Sequence, residues 1–444
     1  MLRRVLIVTP HFPPINKPDH QRVRMSLPYF REFGWEPTVL TVAPSFVEGK
    51  HDLQLLKTVP PETTVIATKA VPSAYTRRFG LGDLGVRAWP YLGRAGDKVL
   101  QEKPFDVIYI STTVFHVMAL GPRWLRRWGI PYVLDFQDPW LSDYFDGRHE
   151  RPPGGHFKYQ MSQRLARMLE PYALKSAAHV ISVSPAYPET LMNRYHWLGP
   201  DHFTVLPFGA SQSDFEQLSL LGVTQSCFDK SDGKKHWVYV GRGGSDMALA
   251  VSALFEAVAR SRSQDPSKWK DVILHFVGTD YAQRQRAVKT IEPIALQCGI
   301  SDLVRESTER IPYLEGLRCL LDADALIVPG SDDPSYTPSK IYPYILADKP
   351  LLAILHEASS AVKVIKQTNA GIVVTFSTHD KATDLSLTIE KSWLRSTEPP
   401  STVTNFEAFD TYSAREITRK HCEIFDRVMS AATLPISRTK PTLR

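Results

Sequence analysis

Residues 325–350 constrain the fold of this chain more than any other stretch. Ala325 to Val328 is an apolar run of the length of one buried parallel strand. The loop after it carries acids, Gly330 and Pro334. The segment Thr337-Pro-Ser-Lys-Ile-Tyr-Pro-Tyr-Ile-Leu-Ala-Asp-Lys-Pro350 then predicts a helix starting near Pro338, because a proline's missing N–H costs nothing in a first helical turn. Such a helix opens toward the carboxyl end of the sheet, with free backbone N–H groups and Lys340 at its first turn. That is where α/β sheets bind anions, nucleotide diphosphates above all.

The same strand–helix alternation runs through the rest of the chain. In the first half, strands are expected at Val5 to Thr9, Pro37 to Val42, Thr64 to Ile66, Asp106 to Ile110, Tyr132 to Asp135 and His179 to Val183. Helices are expected at Arg22 to Phe33, His116 to Trp128, Tyr159 to Ala177 and Tyr187 to Tyr195, the first ending at Gly34. A second sheet starts afresh near Trp237 and continues with strands Val272 to Val277, Ala325 to Val328, Leu351 to Leu355 and Gly371 to Phe376. Helices Met247 to Arg260 and Tyr281 to Cys298 lie between them. The pattern predicts two doubly wound parallel sheets. The divisions are an amino-terminal domain over 1–208, a linker over 209–233, a second domain over 234–405, one helix over 406–432 and a disordered basic tail over 433–444.

A length of 444 residues is enough for two domains with separate cores. The net charge of +6 is uneven: residues 1–210 hold 25 Lys and Arg against 18 Asp and Glu, and residues 211–444 hold 28 against 29. Either the first half meets something acidic, or the imbalance is ordinary surface charge. The four cysteines, Cys227, Cys298, Cys319 and Cys422, have no metal or redox spacing and read as buried thiols in a reducing compartment. No apolar run approaches the roughly 20 residues of a spanning helix, and Met1-Leu-Arg-Arg leads straight into a strand, so a cytoplasmic protein is expected. No RNA- or DNA-binding module is recognisable.

Four segments past strand ends carry candidate chemistry. The loop Pro10 to Arg24 has no glycine, which disfavours a nicotinamide or flavin enzyme, since backbone could not approach a pyrophosphate there. Arg22 and Arg24 either reach an acidic acceptor or are surface arginines. Asp135-Phe-Gln-Asp-Pro-Trp140 places two acids after a strand; Asp138 is the functional candidate and Asp135 the structural one, although both can also cap the following segment. His116 follows the strand ending at Ile110, as a site residue or a satisfied core histidine. In Val240-Gly-Arg-Gly-Gly-Ser-Asp246, Gly241, Gly243 and Gly244 let backbone N–H groups close on a phosphate that Arg242 can pair with bidentately.

In this order, His11 to Pro14, Asp135 to Trp140, Gly241 to Gly244 and Ser339 to Pro350 resemble the motifs of family 4-like GT-B glycosyltransferases, and the resemblance covers nearly the whole chain. It implies two Rossmann-like domains facing across a cleft, with the last helix crossing back to the first. It implies a nucleotide diphosphate sugar held by Gly241, Arg242, Gly243, Gly244, Asp332, Asp333, Tyr336, Ser339 and Lys340. His116, Asp138 and His11 would act on the catalytic side, and Arg22 and Arg24 on the acceptor. Transfer with retention to an acceptor hydroxyl, without metal or other cofactor, is implied as well, in cell-envelope polysaccharide or glycolipid synthesis.

The chain departs from the family's pattern in three places. Lys17-Pro-Asp-His20 replaces the usual small or glycine-rich turn, and the usual lysine after Arg242 is missing. Ser335 and Pro343 stand where the family carries its Glu-x7-Glu pair. Asp332 and Asp333 are candidates to replace the first glutamate, or a metal pair. Arg123-Trp-Leu-Arg-Arg-Trp128 and Tyr75-Thr-Arg-Arg-Phe79 mix arginines with aromatics, as an anionic membrane face or a lipid-linked acceptor would require; a packed amphipathic helix explains the first equally well. A nucleotide-sugar epimerase and a catalytically inactive scaffold are the rival readings.

Overall fold

The apolar runs form two sheets in which every strand pairing is parallel. The structure is a computed structural model and describes residues 2–76, 82–141, 155–280, 287–334, 336, 338–395 and 398–433. The first sheet holds β1 (Arg3–Val8), β2 (Trp35–Val42), β3 (Thr64–Thr68), β4 (Val107–Ser111), β5 (Tyr132–Phe136), β6 (His179–Ser182) and β7 (Phe203–Val205), in the order β3-β2-β1-β4-β5-β6-β7. The second holds β8 (Lys235–Val240), β9 (Val272–Val277), β10 (Val304–Ser307), β11 (Ala325–Pro329), β12 (Leu351–His356) and β13 (Ile372–Phe376), in the order β10-β9-β8-β11-β12-β13. The central strands are buried along their length, which is why they read as unbroken apolar runs. Each sheet reverses its strand order once, between β1 and β4 and between β8 and β11. At such a reversal the loops leave in opposite directions and open a crevice at the carboxyl edge.

The chain divides into two compact units, Met1–Pro207 with Ala414–Arg444, and Phe208–Ser413. The stretch 209–233, expected to be a linker, belongs to the second unit and forms the helix Gln212–Leu220. The single helix expected near the carboxyl terminus is two, Phe406–Asp410 and Ala414–Thr433. Between them Ser413 makes a parallel bridge with Ala210. Only the second of these helices belongs to the first unit. There Phe425 packs against Trp35 and Tyr109, and Asp426 accepts a 2.9 Å hydrogen bond from the Trp35 indole.

Several helix boundaries differ from the sequence reading for identifiable reasons. The helix after β1 spans only Gln21–Ser26, because Pro28 has no N–H to continue it, and turns carry the chain to Gly34 at φ +82°. The helix Leu84–Glu102 was hidden by Gly85, Pro90, Gly93 and Gly96. Gly96 is needed there: a Cβ at this position would sit 2.3 Å from the Trp124 ring. The helix expected from Pro338 is the short Ile341–Leu346, with Lys340 at its N-cap rather than in its first turn. Of the helix expected over 281–298 the structure shows Glu292–Gln297; residues 281–286 lie outside the described residues, as do 77–79 and the tail from Ser437. No described helix is long and apolar enough to cross a membrane. The cysteines are not all scattered in space, since the Cys319 thiol lies 3.3 Å from that of Cys227.

Candidate active site

In the second unit, the loops after β8 and β11 meet at the strand-order reversal. Tyr239, the fifth residue of β8, donates its hydroxyl proton to the Arg242 carbonyl (2.7 Å) and so folds the loop back over the strand end. The Lys340 ammonium arrives from the β11 side and donates to the same hydroxyl (2.7 Å), 4.7 Å from the centre of the Tyr239 ring. Gly241 makes this approach possible, because a Cβ there would lie 2.2 Å from the Lys340 nitrogen. Arg242 is oriented by Asp246: Nη1 donates to Oδ1 at 2.9 Å and Nη2 to Oδ2 at 2.7 Å. The guanidinium carbon lies 4.7 Å from the centre of the Tyr336 ring, a stacked cation–π arrangement. Asp332 ties the β11 loop to this turn through a 2.8 Å bond from its N–H to the Asp246 carbonyl. The Asp333 carbonyl accepts from the Tyr336 N–H at 3.1 Å. Ser339 is exposed beside Lys340.

The electrostatics follow from this crowding. Burial lowers the Lys340 pKa, and the cations of Arg242 and Arg310 lower it further, to about 7 against an ordinary 10.5. Burial also works against the charges of Arg242 and Asp246, but their mutual hydrogen bonds and attraction outweigh it and both stay ionised. The expected bidentate fork of Arg242 is therefore already taken by Asp246, and an incoming phosphate has to share it. Pro343, at the place of the family's second glutamate, lies within the short helix, and Ser335 lies outside the described residues.

In the first unit, the corresponding reversal lies between β1 and β4. His11, three residues beyond β1, places Nδ1 at 2.9 and 3.0 Å from the two carboxylate oxygens of Asp19. The Thr112 hydroxyl just past β4 donates to Asp19 Oδ2 (3.2 Å), and Gln137 past β5 donates to the Asp19 carbonyl (2.9 Å) and to the Ser111 hydroxyl (2.9 Å). His116 lies on a 3-10 turn, Phe115–Ala119, with Nδ1 2.9 Å from Asp83 Oδ1 and its ring edge-on to Trp140. Its Nε2 is buried without a hydrogen-bond partner. Asp138 is exposed one residue past Gln137.

Arg22 and Arg24, expected to reach an acceptor, are corrected by the structure: both are buried (3 % and 1 % exposed) and committed to the protein. Arg22 Nε lies 3.1 Å from Asp135 Oδ2, and its Nη atoms donate to the Leu206 and Pro207 carbonyls. Asp135 is structural, as expected, and also accepts from the hydroxyls of Tyr109 and Ser111 at 2.7 Å each. Arg24 donates to Gln21 and Thr58. The residues that sequence reasoning passed over are Asp19, Asp83, Asp246 and Tyr239. Asp19 lies in the very turn, Lys17 to His20, that departs from the family's glycines, and Asp246 ends the glycine motif itself.

Residues 20–209 match the family described as Glycosyl transferase 4-like domain. No curated protein matches the chain by sequence. Among solved structures, HepE from Anabaena in complex with UDP and glucose is similar with a TM-score of 0.60 and 16% identity, over 96% of this chain and 100% of that chain. A glycosyltransferase from Rickettsia africae aligns at TM-score 0.57 and 13% identity, over 96% of this chain and 99% of its own. A UDP-forming α,α-trehalose-phosphate synthase from Burkholderia vietnamiensis aligns at 0.58 and 11%, over 97% and 100%. At such identities the likeness is one of fold: two parallel-sheet α/β domains of the GT-B kind.

Proposed function

Starting from a glycosyltransferase whose residues 20–209 belong to the glycosyl transferase 4-like family, we propose that this chain moves a sugar from a nucleotide diphosphate to an acceptor hydroxyl. The observation that carries the reading is the pair Arg242 and Lys340, two cations meeting at the carboxyl edge between β8 and β11 over a glycine turn. Charge developing on the departing diphosphate is stabilised there by fixed cations and the amide of Gly244, usually the largest catalytic contribution in such a site. The Gly243 N–H is already spent on the Thr279 carbonyl at 2.7 Å and the Gly241 N–H on the Val277 carbonyl at 2.9 Å, so these two do not join the cradle expected from the sequence. The diphosphate also returns Lys340 to full charge, so binding and proton uptake are linked.

Uridine diphosphate sugars are the first donors to test, because Anabaena HepE, similar in fold, holds UDP and UDP-glucose. The acceptor in this reading is a lipid-linked or other sugar of envelope polysaccharide or glycolipid synthesis. Its support is a face of the first unit where Arg126 lies over Tyr172 and Arg127 over Trp128, suited to anionic headgroups at a membrane surface. Retention, which the resemblance implies, lacks the carboxylate pair behind it here. An inactive scaffold has no use for a lysine desolvated beside an arginine. The test is release of nucleoside diphosphate from a panel of nucleotide sugars by the wild type and by Lys340→Ala. Release by the wild type alone supports the reading; no release, or equal release by both, contradicts it.

A further inference from the structure

Residues 225–230 of the second unit run along one face of the helix Tyr313–Asp322, and their contacts repeat with the helix period. Glu315 Oε1 accepts from the N–H and the hydroxyl of Ser226, at 2.9 and 2.6 Å. One turn on, the Cys319 thiol donates to the Cys227 sulfur at 3.3 Å, and a further turn on Asp322 pairs with Lys230. Gln225 closes the loop from within. Its Oε1 accepts from the N–H groups of Cys227 (2.7 Å) and Phe228 (3.1 Å), and its Nε2 donates to the Phe228 carbonyl (2.8 Å). Phe228 in turn stacks on His236 of β8, with ring centres 4.5 Å apart. The approach of the two sulfurs is therefore held by contacts on either side of Cys227.

The two sulfurs differ in access and in charge. Cys319 is wholly buried, while Cys227 is half-buried beside the exposed Ser226. The hydrogen bond from Cys319 lowers the Cys227 pKa, against burial and the Glu315 carboxylate, and the same bond together with burial raises that of Cys319. Cys227 is thus the sulfur that loses its proton first and the one a solute reaches.

We propose that Cys227 and Cys319 form a reversible oxidation site, which a peroxide closes to a disulfide and a small thiol reopens. Nothing in it depends on glycosyl transfer. The Cys227 thiolate attacks one peroxide oxygen, the O–O bond breaks with its electron pair leaving as hydroxide, and Cys227 becomes a sulfenic acid. The Cys319 sulfur then attacks the Cys227 sulfur, the S–O bond breaks, and the oxygen leaves as water with the Cys319 proton. Two thiols are oxidised by two electrons, and the peroxide is reduced to two waters. The sulfurs close from 3.3 Å to about 2.0 Å, a movement that the loop bearing Cys227 supplies more easily than the core helix bearing Cys319.

The two cysteines are 92 positions apart, and the stretch between them contains β8, the glycine turn, β9 and β10. That is one half of the second sheet, on one side of its strand-order reversal. A cross-link enclosing so long a stretch removes much of the unfolded chain's freedom, so oxidation staples this half of the unit. In reducing surroundings small thiols keep the pair open, and the staple forms only while peroxide is present.

The test treats the reduced full chain with hydrogen peroxide and reads the thiols, the linkage and the melting temperature. The wild type should lose two of its four thiols and yield a peptide cross-linked between 227 and 319 in non-reducing mass spectrometry. It should melt about 5–15 °C higher, and dithiothreitol should reverse each change. Cys319→Ala should stop at the sulfenic acid, captured on Cys227 by dimedone. Cys227→Ser changes only a loop position and should leave Cys319 unreacted and the melting temperature insensitive to peroxide. Thiols that survive the peroxide, a cross-link between other cysteines, or a sulfenic acid that persists on Cys227 in the wild type overturns the proposal. So does a cross-linked chain that melts no higher than the reduced one.

Discussion

The Lys340 ammonium and the Tyr239 hydroxyl lie 2.7 Å apart, and the contact exists because residue 241 has no side chain to block it. The two residues are 101 positions apart in sequence. Tyr239 lies on β8, and Lys340 caps the helix Ile341–Leu346 that follows β11, the neighbour of β8 in the sheet.

The first prediction is a pH dependence of nucleotide binding. With its pKa near 7 in the free protein, Lys340 is charged below that pH and increasingly neutral above it. Affinity for a nucleoside diphosphate should hold on the acid side and fall by up to about tenfold per pH unit above 7. Titration calorimetry at several pH values checks this. Lys340→Arg should flatten the profile, because a guanidinium stays protonated.

Gly241→Ala should weaken nucleotide binding without a large loss of stability. The new Cβ would fall 2.2 Å from the Lys340 nitrogen and 2.8 Å from the Tyr239 oxygen, so the lysine has to swing out of the turn. Because the end of this long side chain gives way more easily than backbone, the melting temperature should move little while affinity falls about as far as in Lys340→Ala. Paired melting and binding measurements separate the two effects.

Arg22→Ala should destabilise the first unit by about 3–5 kcal/mol, the usual consequence of leaving one member of a buried ion pair uncompensated. Asp135 would keep the hydroxyls of Tyr109 and Ser111 but lose its cation, and the Leu206 and Pro207 carbonyls would lose their donors. Urea unfolding of the variant measures the loss. A change of a few tenths would contradict the structural role assigned to this arginine.

Acid should weaken the fold below about pH 6.5. Burial holds His20, His179 and His275 neutral, each with its pKa lowered from 6.5 to about 4. Between those values the unfolded chain binds protons that the folded chain refuses. Stability is therefore full above about 6.5 and falls as the pH drops toward 4, by about 1.4 kcal/mol per unit for each such group. Urea midpoints measured across this range should decline, and less steeply in His275→Phe.

Much of the architecture was legible because strands buried on both faces must be continuous apolar runs, as Ala325 to Val328 is. The edge strands β7 and β10 escaped the reading: they are three and four residues long, and β10 alternates buried with exposed positions. The helix Leu84–Glu102 escaped because its glycines serve close packing, which only the neighbouring Trp124 reveals. The site was legible as a set of cations and glycines past strand ends, but not as pairs. Asp246 for Arg242, Asp19 for His11 and Asp83 for His116 are chosen by loop geometry, and the same holds for Cys227 and Cys319, 92 positions apart. Arg22 and Arg24 show the converse, since charge alone suggested the surface and the structure buries both.

The most direct measurement of the central claim is a thermal-shift panel of nucleoside diphosphates and nucleotide sugars on the wild type and Lys340→Ala. A ligand that binds only the folded state raises the melting temperature by mass action. The account predicts a rise with at least one nucleotide, UDP first among them, that disappears in Lys340→Ala. A panel without any rise, or a rise of equal size in the variant, would contradict the assignment of the β8–β11 edge as the donor site.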